Sequence, residues 1–148
     1  MEPILRVVLD LYVRGSNADQ QWGRVTTRRK HERKVTWEAL EAAWDAKAET
    51  PALPLDIRLI RIASRRIDDQ NLLEAFKSVI DETCDWLGCD DGDRWATRWL
   101  CTQEEVYVPP REVHLTDGRV RKFPQGAVEI AIYPRGAFDA VTGRIVVL

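Results

Sequence analysis

A single mixed domain, α/β or α+β, with a small sheet and two main helices over residues 1–148, is the fold class this sequence predicts. Three observations predict it. Short segments rich in Val, Ile and Leu alternate with segments whose apolar residues fall at helical spacing. The length, 148 residues, is that of one ordinary domain. Repeats, low-complexity tracts and linker-like stretches are absent from the sequence.

The elements follow in order. Residues 4–14, ILRVVLDLYVR, read as a strand because β-branched and long aliphatic residues dominate. Residues 15–19, GSNAD, read as a loop. Thr36 can cap a helix in which Trp37, Leu40, Ala43 and Trp44 share helical spacing. That helix should fade near Glu49, since Pro51 and Pro54 follow. Residues 55–63, LDIRLIRIA, read as a second strand from the alternation of Leu55, Ile57 and Leu59 with Asp56 and Arg58. A helix from about Asn71 to Leu87 comes next, opened by the capping-box pair Asn71 and Glu74 and closed by Gly88. Trp95–Gln103, Val128–Tyr133 and Arg144–Leu148 are the remaining strand candidates, with Pro109-Pro110 interrupting the chain between the first two.

Composition excludes several classes. Hydrophobic residues make up 45% and charged residues 31%, a globular rather than a disordered mix. No apolar run is long enough to cross a membrane, and the start Met1-Glu2-Pro3 lacks a signal peptide's basic and apolar regions, so the expected compartment is the cytoplasm. Cys84, Cys89 and Cys101 form no CxxC pair and read as free thiols. His31 and His114 are too few and too far apart for a histidine-rich zinc site. Packing is the default reading for the six tryptophans.

The net charge of −2 hides an asymmetry. Residues 1–66 hold 13 Lys and Arg against 9 Asp and Glu, whereas residues 67–148 hold 9 against 15. The basic residues concentrate in 24–34, RVTTRRKHERK, and the acids in 68–93, which carry nine Asp or Glu and only Lys77 as a base. On the helix, Leu72, Phe76, Val79, Ile80, Thr83 and Leu87 form an apolar stripe, and Gln70, Glu74, Lys77, Asp81 and Asp85 follow another face. A solvated acidic face explains this arrangement, and so does a cation site. Acids crowd at both helix ends, in Asp68-Asp69 and Asp90-Asp91-Gly92-Asp93, and a divalent cation would relieve their repulsion.

The ordered set Arg66, Asp68, Asn71, Leu72, then Asp81, then Leu87-Gly88-Cys89-Asp90-Asp91-Gly92-Asp93 resembles the core motif of RusA-type Holliday-junction resolvases, the phage-associated members most closely. The likeness covers about 30 residues well and the flanking segments in outline. It implies a Mg²⁺-dependent endonuclease, with Mn²⁺ as a possible substitute, that works as a homodimer on four-way DNA junctions in a bacterial cytoplasm. On that likeness the metal ligands are Asp68, Asp69, Gln70, Asp90 and Asp91, and the catalytic residues are Asp68, Asp91 and Lys77. Arg24, Arg28, Arg29, Lys30, Arg33, Lys34, Arg65 and Arg66 are the expected DNA contacts, mostly to phosphates. The sequence departs from the motif in three ways. Gln70 stands where a second metal-ligating Asp is expected, Glu74 stands where Lys is expected, and the stretch from Asn71 to Asp91 is slightly long. Two other readings remain open: a catalytically impaired binder of branched DNA, and a phage structural or interaction protein.

Overall fold

The computed structural model describes residues 2–15, 22–45 and 49–138, with the backbone alone at residues 22–24. The strands are β1 (Leu5–Leu9), β2 (Leu55–Ala63), β3 (Thr97–Glu105), β4 (Arg111–His114), β5 (Val120–Phe123) and β6 (Gly126–Pro134). The helices are α1 (Trp22–Ala43), α2 (Asp69–Ala75) and α3 (Lys77–Leu87). The main sheet is mixed, in the order β1-β6-β2-β3, and β4 and β5 form a separate two-stranded ribbon.

β2 and β3 run parallel, joined by the α2–α3 crossover, while β6 lies antiparallel to both β1 and β2. Strand alternation then sorts the side chains. Leu5, Leu9, Leu55, Ile57, Leu59, Val128, Ile130 and Ile132 face the helices and form the main core with Leu40, Leu72, Phe76 and Val79. A smaller cluster of Ala131, Tyr133, Ala137 and Phe138 covers part of the other face. There Asp56, fully buried in the central strand, accepts from Arg98 Nε and Nη2 (both 2.8 Å) and from the Gly136 and Phe138 amides (2.9 and 3.1 Å). Arg135 pairs with the same carboxylate at 3.1 Å.

Several boundaries differ from the sequence reading. The basic run 24–34 is helical, so Thr36 is no cap but a buried mid-helix residue whose Oγ1 donates to the Glu32 carbonyl at 2.8 Å. Arg28, Glu32, Thr36 and Leu40, spaced by four, form the inward line of that helix; its first half is polar, which hid it from apolar periodicity. The helix read over Asn71–Leu87 begins at Asp69 and breaks at buried Phe76 into α2 and α3. Its cap is Asp68, whose Oδ1 accepts from the Asn71 amide at 2.9 Å. Asn71 is therefore inside the helix, where a Cβ added at Gly15 would come within 2.8 Å of its Oδ1. β1 is shorter than residues 4–14, because its ladder with β6 ends at Leu9–Val128. The expected strand Arg144–Leu148 lies outside the described residues, as does the loop beyond Gly15 up to Asp19.

Candidate functional site

The crossover from β2 to β3 carries the acidic residues, and its local structure follows from their side chains. After β2 the chain passes Arg65 and Arg66, both exposed. Gln103 on β3 clamps the next residue: its Nε2 donates to the Ile67 carbonyl at 2.6 Å and its Oε1 accepts from the Ile67 amide at 3.0 Å. This fixes where Asp68 begins the helix. Asp68 Oδ2 also accepts from Asn71 Nδ2 at 2.7 Å, so one asparagine engages both carboxylate oxygens. Asp69 and Gln70 follow in the first turn, both exposed.

At the far end of α3, Gly88 takes the left-handed conformation (φ 76°) that lets the helix close on itself. Its amide donates to Asp85 O at 3.2 Å, and the Cys89 amide donates to Cys84 O at 3.0 Å. The acidic turn is built on its own carboxylates. Asp90 Oδ1 accepts from the Gly92 amide at 2.8 Å, and Asp93 Oδ1 accepts from the Trp95 and Ala96 amides at 3.0 and 3.3 Å. Such side-chain-to-backbone bonds are what make Asp a turn residue. They also give Asp90 and Asp93 a structural role that sequence reading alone did not separate from ligation.

Asp91 stands apart. Its carboxyl is pushed above the usual range, first by its hydrogen bond with Asp90, then by lost hydration and by the charges of Asp81 and Asp90; Lys77 opposes the shift. These mutual influences tie Asp81, Asp90, Asp91 and Lys77 together electrostatically. Lys77 Nζ lies 3.8 Å from Asp81 Oδ2, one helical turn on. A cleft of about 690 Å³ is lined by Asp81, Asp85, Asp90 and Asp91 and by Arg33. Asp68, Asp69 and Gln70 do not line it. Asp81, absent from the expected ligand set, therefore joins the acidic turn. The signal for it was its place in the resolvase-like motif, between Leu72 and the acidic turn.

The basic residues divide in the same way. Arg33 reaches across from α1 to α3, pairing its Nε with Glu82 at 2.6 Å and its Nη2 with Asp85. Both partners and burial act on its guanidinium, and the Glu82 hydrogen bond leads in raising its pKa. Lys30 and Lys34 are exposed, with Lys34 3.9 Å from Glu38. Arg28 and Arg29 are half-buried, and the side chain of Arg24 lies outside the described residues. Arg28 Nη1 donates to the Arg14 carbonyl at 3.2 Å.

Among the described residues, no three His, Cys, Asp or Glu side chains are grouped so as to hold a metal ion. The donors in the acidic turn are nevertheless all carboxylates, the hard oxygen ligands that Mg²⁺ accepts, and Mg²⁺ commonly needs only one or two of them beside its waters. The Asp90 hydrogen bond leads in lifting the Asp91 carboxyl, and the charges of Asp81 and Asp90 add to it; that like-charge share is what a divalent cation relieves. In donor chemistry, the acidic turn fits the ion. No family model, no curated protein and no solved structure matches this chain. No helix among the described residues is long and apolar enough to cross a membrane.

Proposed function

We propose that this chain is a Mg²⁺-dependent, structure-specific DNA endonuclease of the RusA type that cuts four-way junctions as a homodimer. The observation that carries this reading is the shared lining of one cleft by Asp81, Asp90 and Asp91, with Lys77 paired to Asp81, in the segment where the sequence resembles the resolvase core. Asp91 and Asp90 would hold the ion (Mn²⁺ being an alternative), with Asp81 close enough to share its charge. The resemblance gives Asp68 a ligand role as well, from outside this cleft: its two oxygens already accept from Asn71, and a carboxylate has about four acceptor sites. Asp69 and Gln70 flank it, and Gln70 offers a carbonyl oxygen without charge.

Bound there, Mg²⁺ would supply Lewis-acid polarisation of a phosphodiester and a more acidic water. The chain's own residues do the rest. Lys77 sets a positive charge beside the acids, where negative charge develops on a reacting phosphate. Arg65, Arg66, Lys30, Lys34, Arg24, Arg28 and Arg29 provide phosphate contacts whose affinity falls with salt. Arg33, held by Glu82 and Asp85, contributes chiefly by fixing α1 against α3. Two-fold symmetry of a dimer would match that of the junction. A bacterial cytoplasm, with the gene on a phage or prophage, is the setting this reading implies.

The test is incubation of a synthetic four-way junction with Mg²⁺, comparing wild type with Asp91→Asn. We expect paired nicks from wild type and a loss of at least about 100-fold in the variant, the scale of removing a group that acts only in the transition state. Absence of cutting by wild type, with junction binding intact, selects a second reading, a branched-DNA binder with a decayed centre. Gln70 at a ligand position favours that reading, and Gln70→Asp should then restore cleavage. Absence of both cutting and binding would leave an interaction protein.

A further inference from the structure

A second cleft, of about 630 Å³, opens between the first half of α1 and the β4–β5 ribbon. Its walls bring together Tyr12, Arg28, His31, Glu32, Arg111 and Phe123. Three features distinguish it from an ordinary groove. Its lining is mainly basic, with Arg14, Arg28 and Arg111 against Asp10 and Glu32, and His31 beside them. Its aromatic residues come with guanidinium groups: Arg111 and Arg121 lie over Phe123 at 5.4 and 5.6 Å, and Arg61 lies over Tyr12 at 5.3 Å. Its wall includes Glu32, only 2% exposed, whose Oε2 has no hydrogen-bond partner among the described residues.

That unmet oxygen asks for an explanation, because buried acceptors are almost always paired and one left unpaired is destabilising. Burial raises the Glu32 carboxyl above the usual range, even though Arg28, a hydrogen bond to Ser78, Arg29 and Arg14 all pull the other way. A ligand that satisfies this cleft must offer an anionic group to the rim, a flat π-face to the rings, and an N–H to the carboxylate. A nucleotide carries all three: phosphate, base plane and the amino or imino group of a base edge. Its size also suits a cavity within the usual range for small-molecule sites.

We infer that this cleft binds one unpaired nucleotide of a DNA strand, with the phosphate at Arg28, His31 and Arg111, the base beside Tyr12 and Phe123, and a base N–H on Glu32. The inference rests on the nuclease reading for its choice of DNA, and it gives the ribbon a function. Among the described residues the ribbon's ladder pairs only β4 with β5; of its exposed bases, Arg119 pairs with Asp117 and Lys122 with Glu112, while Arg121 lies over Phe123 and extends the basic lining outward. Extruding a base costs least where it is mismatched or already unpaired, so a site that takes one base distinguishes an opened branch from continuous duplex.

The test uses the full chain and fluorescence anisotropy, with a labelled short single strand of mixed sequence and a labelled duplex. His31 and Arg111 are both exposed, so the double variant His31→Ala/Arg111→Ala should leave the fold intact. We expect it to weaken single-strand binding about ten-fold and duplex binding by less than about two-fold. Glu32→Gln, checked for folding by its melting curve, should also weaken single-strand binding selectively. Unlabelled deoxynucleoside monophosphates should compete, and inorganic phosphate should compete far less. Equal losses on both DNAs, competition by phosphate as strong as by nucleotide, or equal binding of a polyglutamate peptide would each overturn the nucleotide pocket. Junction cleavage measured in parallel separates the two proposals. A double variant that cuts and binds like wild type sinks the pocket alone, whereas a wild type that grips single strands selectively without cutting sinks the nuclease alone.

Discussion

Among the described residues, two carboxylates are almost wholly removed from water, and their surroundings are opposite. Asp56, in the central strand on the sheet face away from the helices, is met by a bidentate arginine, two amides and a second arginine. Burial alone would lift its carboxyl, but the Arg98 hydrogen bonds and the Phe138 and Gly136 amides outweigh it and hold the group below the usual range. Glu32, on α1, is equally dry but has an oxygen unmet, and burial wins. A carboxylate with every donor it can use holds two segments of a fold together. A carboxylate left short marks a place where the fold has not been optimised for stability, and such places tend to be sites.

The largest effect expected from this contrast is at Asp56. Asp56→Ala would strand Arg98 and Arg135 and release two amides, and breaking a buried pair this way costs about 3–5 kcal/mol. For a domain of this size that is a fall in melting temperature of about 6–20 °C, read by calorimetry. Acid should act in the same direction. Because the folded-state pKa is lowered, the stabilisation is present above the unfolded value and drains away as pH falls through the folded value. A loss under 1 kcal/mol would mean the Asp56 cluster is peripheral, and the comparison would fail.

Glu32 should behave with the reverse sign and a smaller magnitude. Its raised pKa means the ionised form is disfavoured in the folded state. The unfavourable term is therefore absent in acid and appears as pH rises through the folded-state value. Glu32→Gln removes it and should stabilise by about 1 kcal/mol at neutral pH, with the advantage shrinking in acid. Urea unfolding of both proteins across a pH series measures this directly. A constant difference at all pH values would show that Glu32 has the same pKa in the folded and unfolded chain, and that burial does not raise it.

How much of this was legible in the sequence depended on whether inward-facing residues were apolar. The pattern LDIRLIRIA gave β2 its full span, because Leu55, Ile57 and Leu59 alternate and prolines precede it. The apolar stripe of α2 and α3 was equally plain, and Leu72, Phe76, Val79, Thr83 and Leu87 are all buried as their spacing implied. The start of α1 was not legible, since its inward residues there are Arg28 and Glu32, and periodicity of hydrophobicity cannot see a polar inward face. The β4–β5 ribbon had a signal, Asp117-Gly118, with Gly118 at φ 87° in the turn, but its strands are too polar to announce themselves. The acidic turn was visible as composition. What the residues could not reveal was that Asp90 and Asp93 are occupied by backbone amides while Asp91 lines one cleft with Asp81.

Arg33 supplies the smallest effect and the sharpest control, because it is an arginine with two carboxylates, like the Asp56 cluster inverted, but set in water. Its side chain is 42% exposed, against complete burial for Asp56. Exposed pairs contribute about 0–1 kcal/mol after solvent screening and the ordering of long side chains. Arg33→Ala should therefore cost less than about 1 kcal/mol in urea unfolding, and most of that cost should vanish at high salt, whereas the penalty of Asp56→Ala should persist. If Arg33→Ala instead proves as damaging as Asp56→Ala at every ionic strength, then burial is not what separates the ion pairs of this protein, and the Arg33 link between α1 and α3 would have to be counted as core.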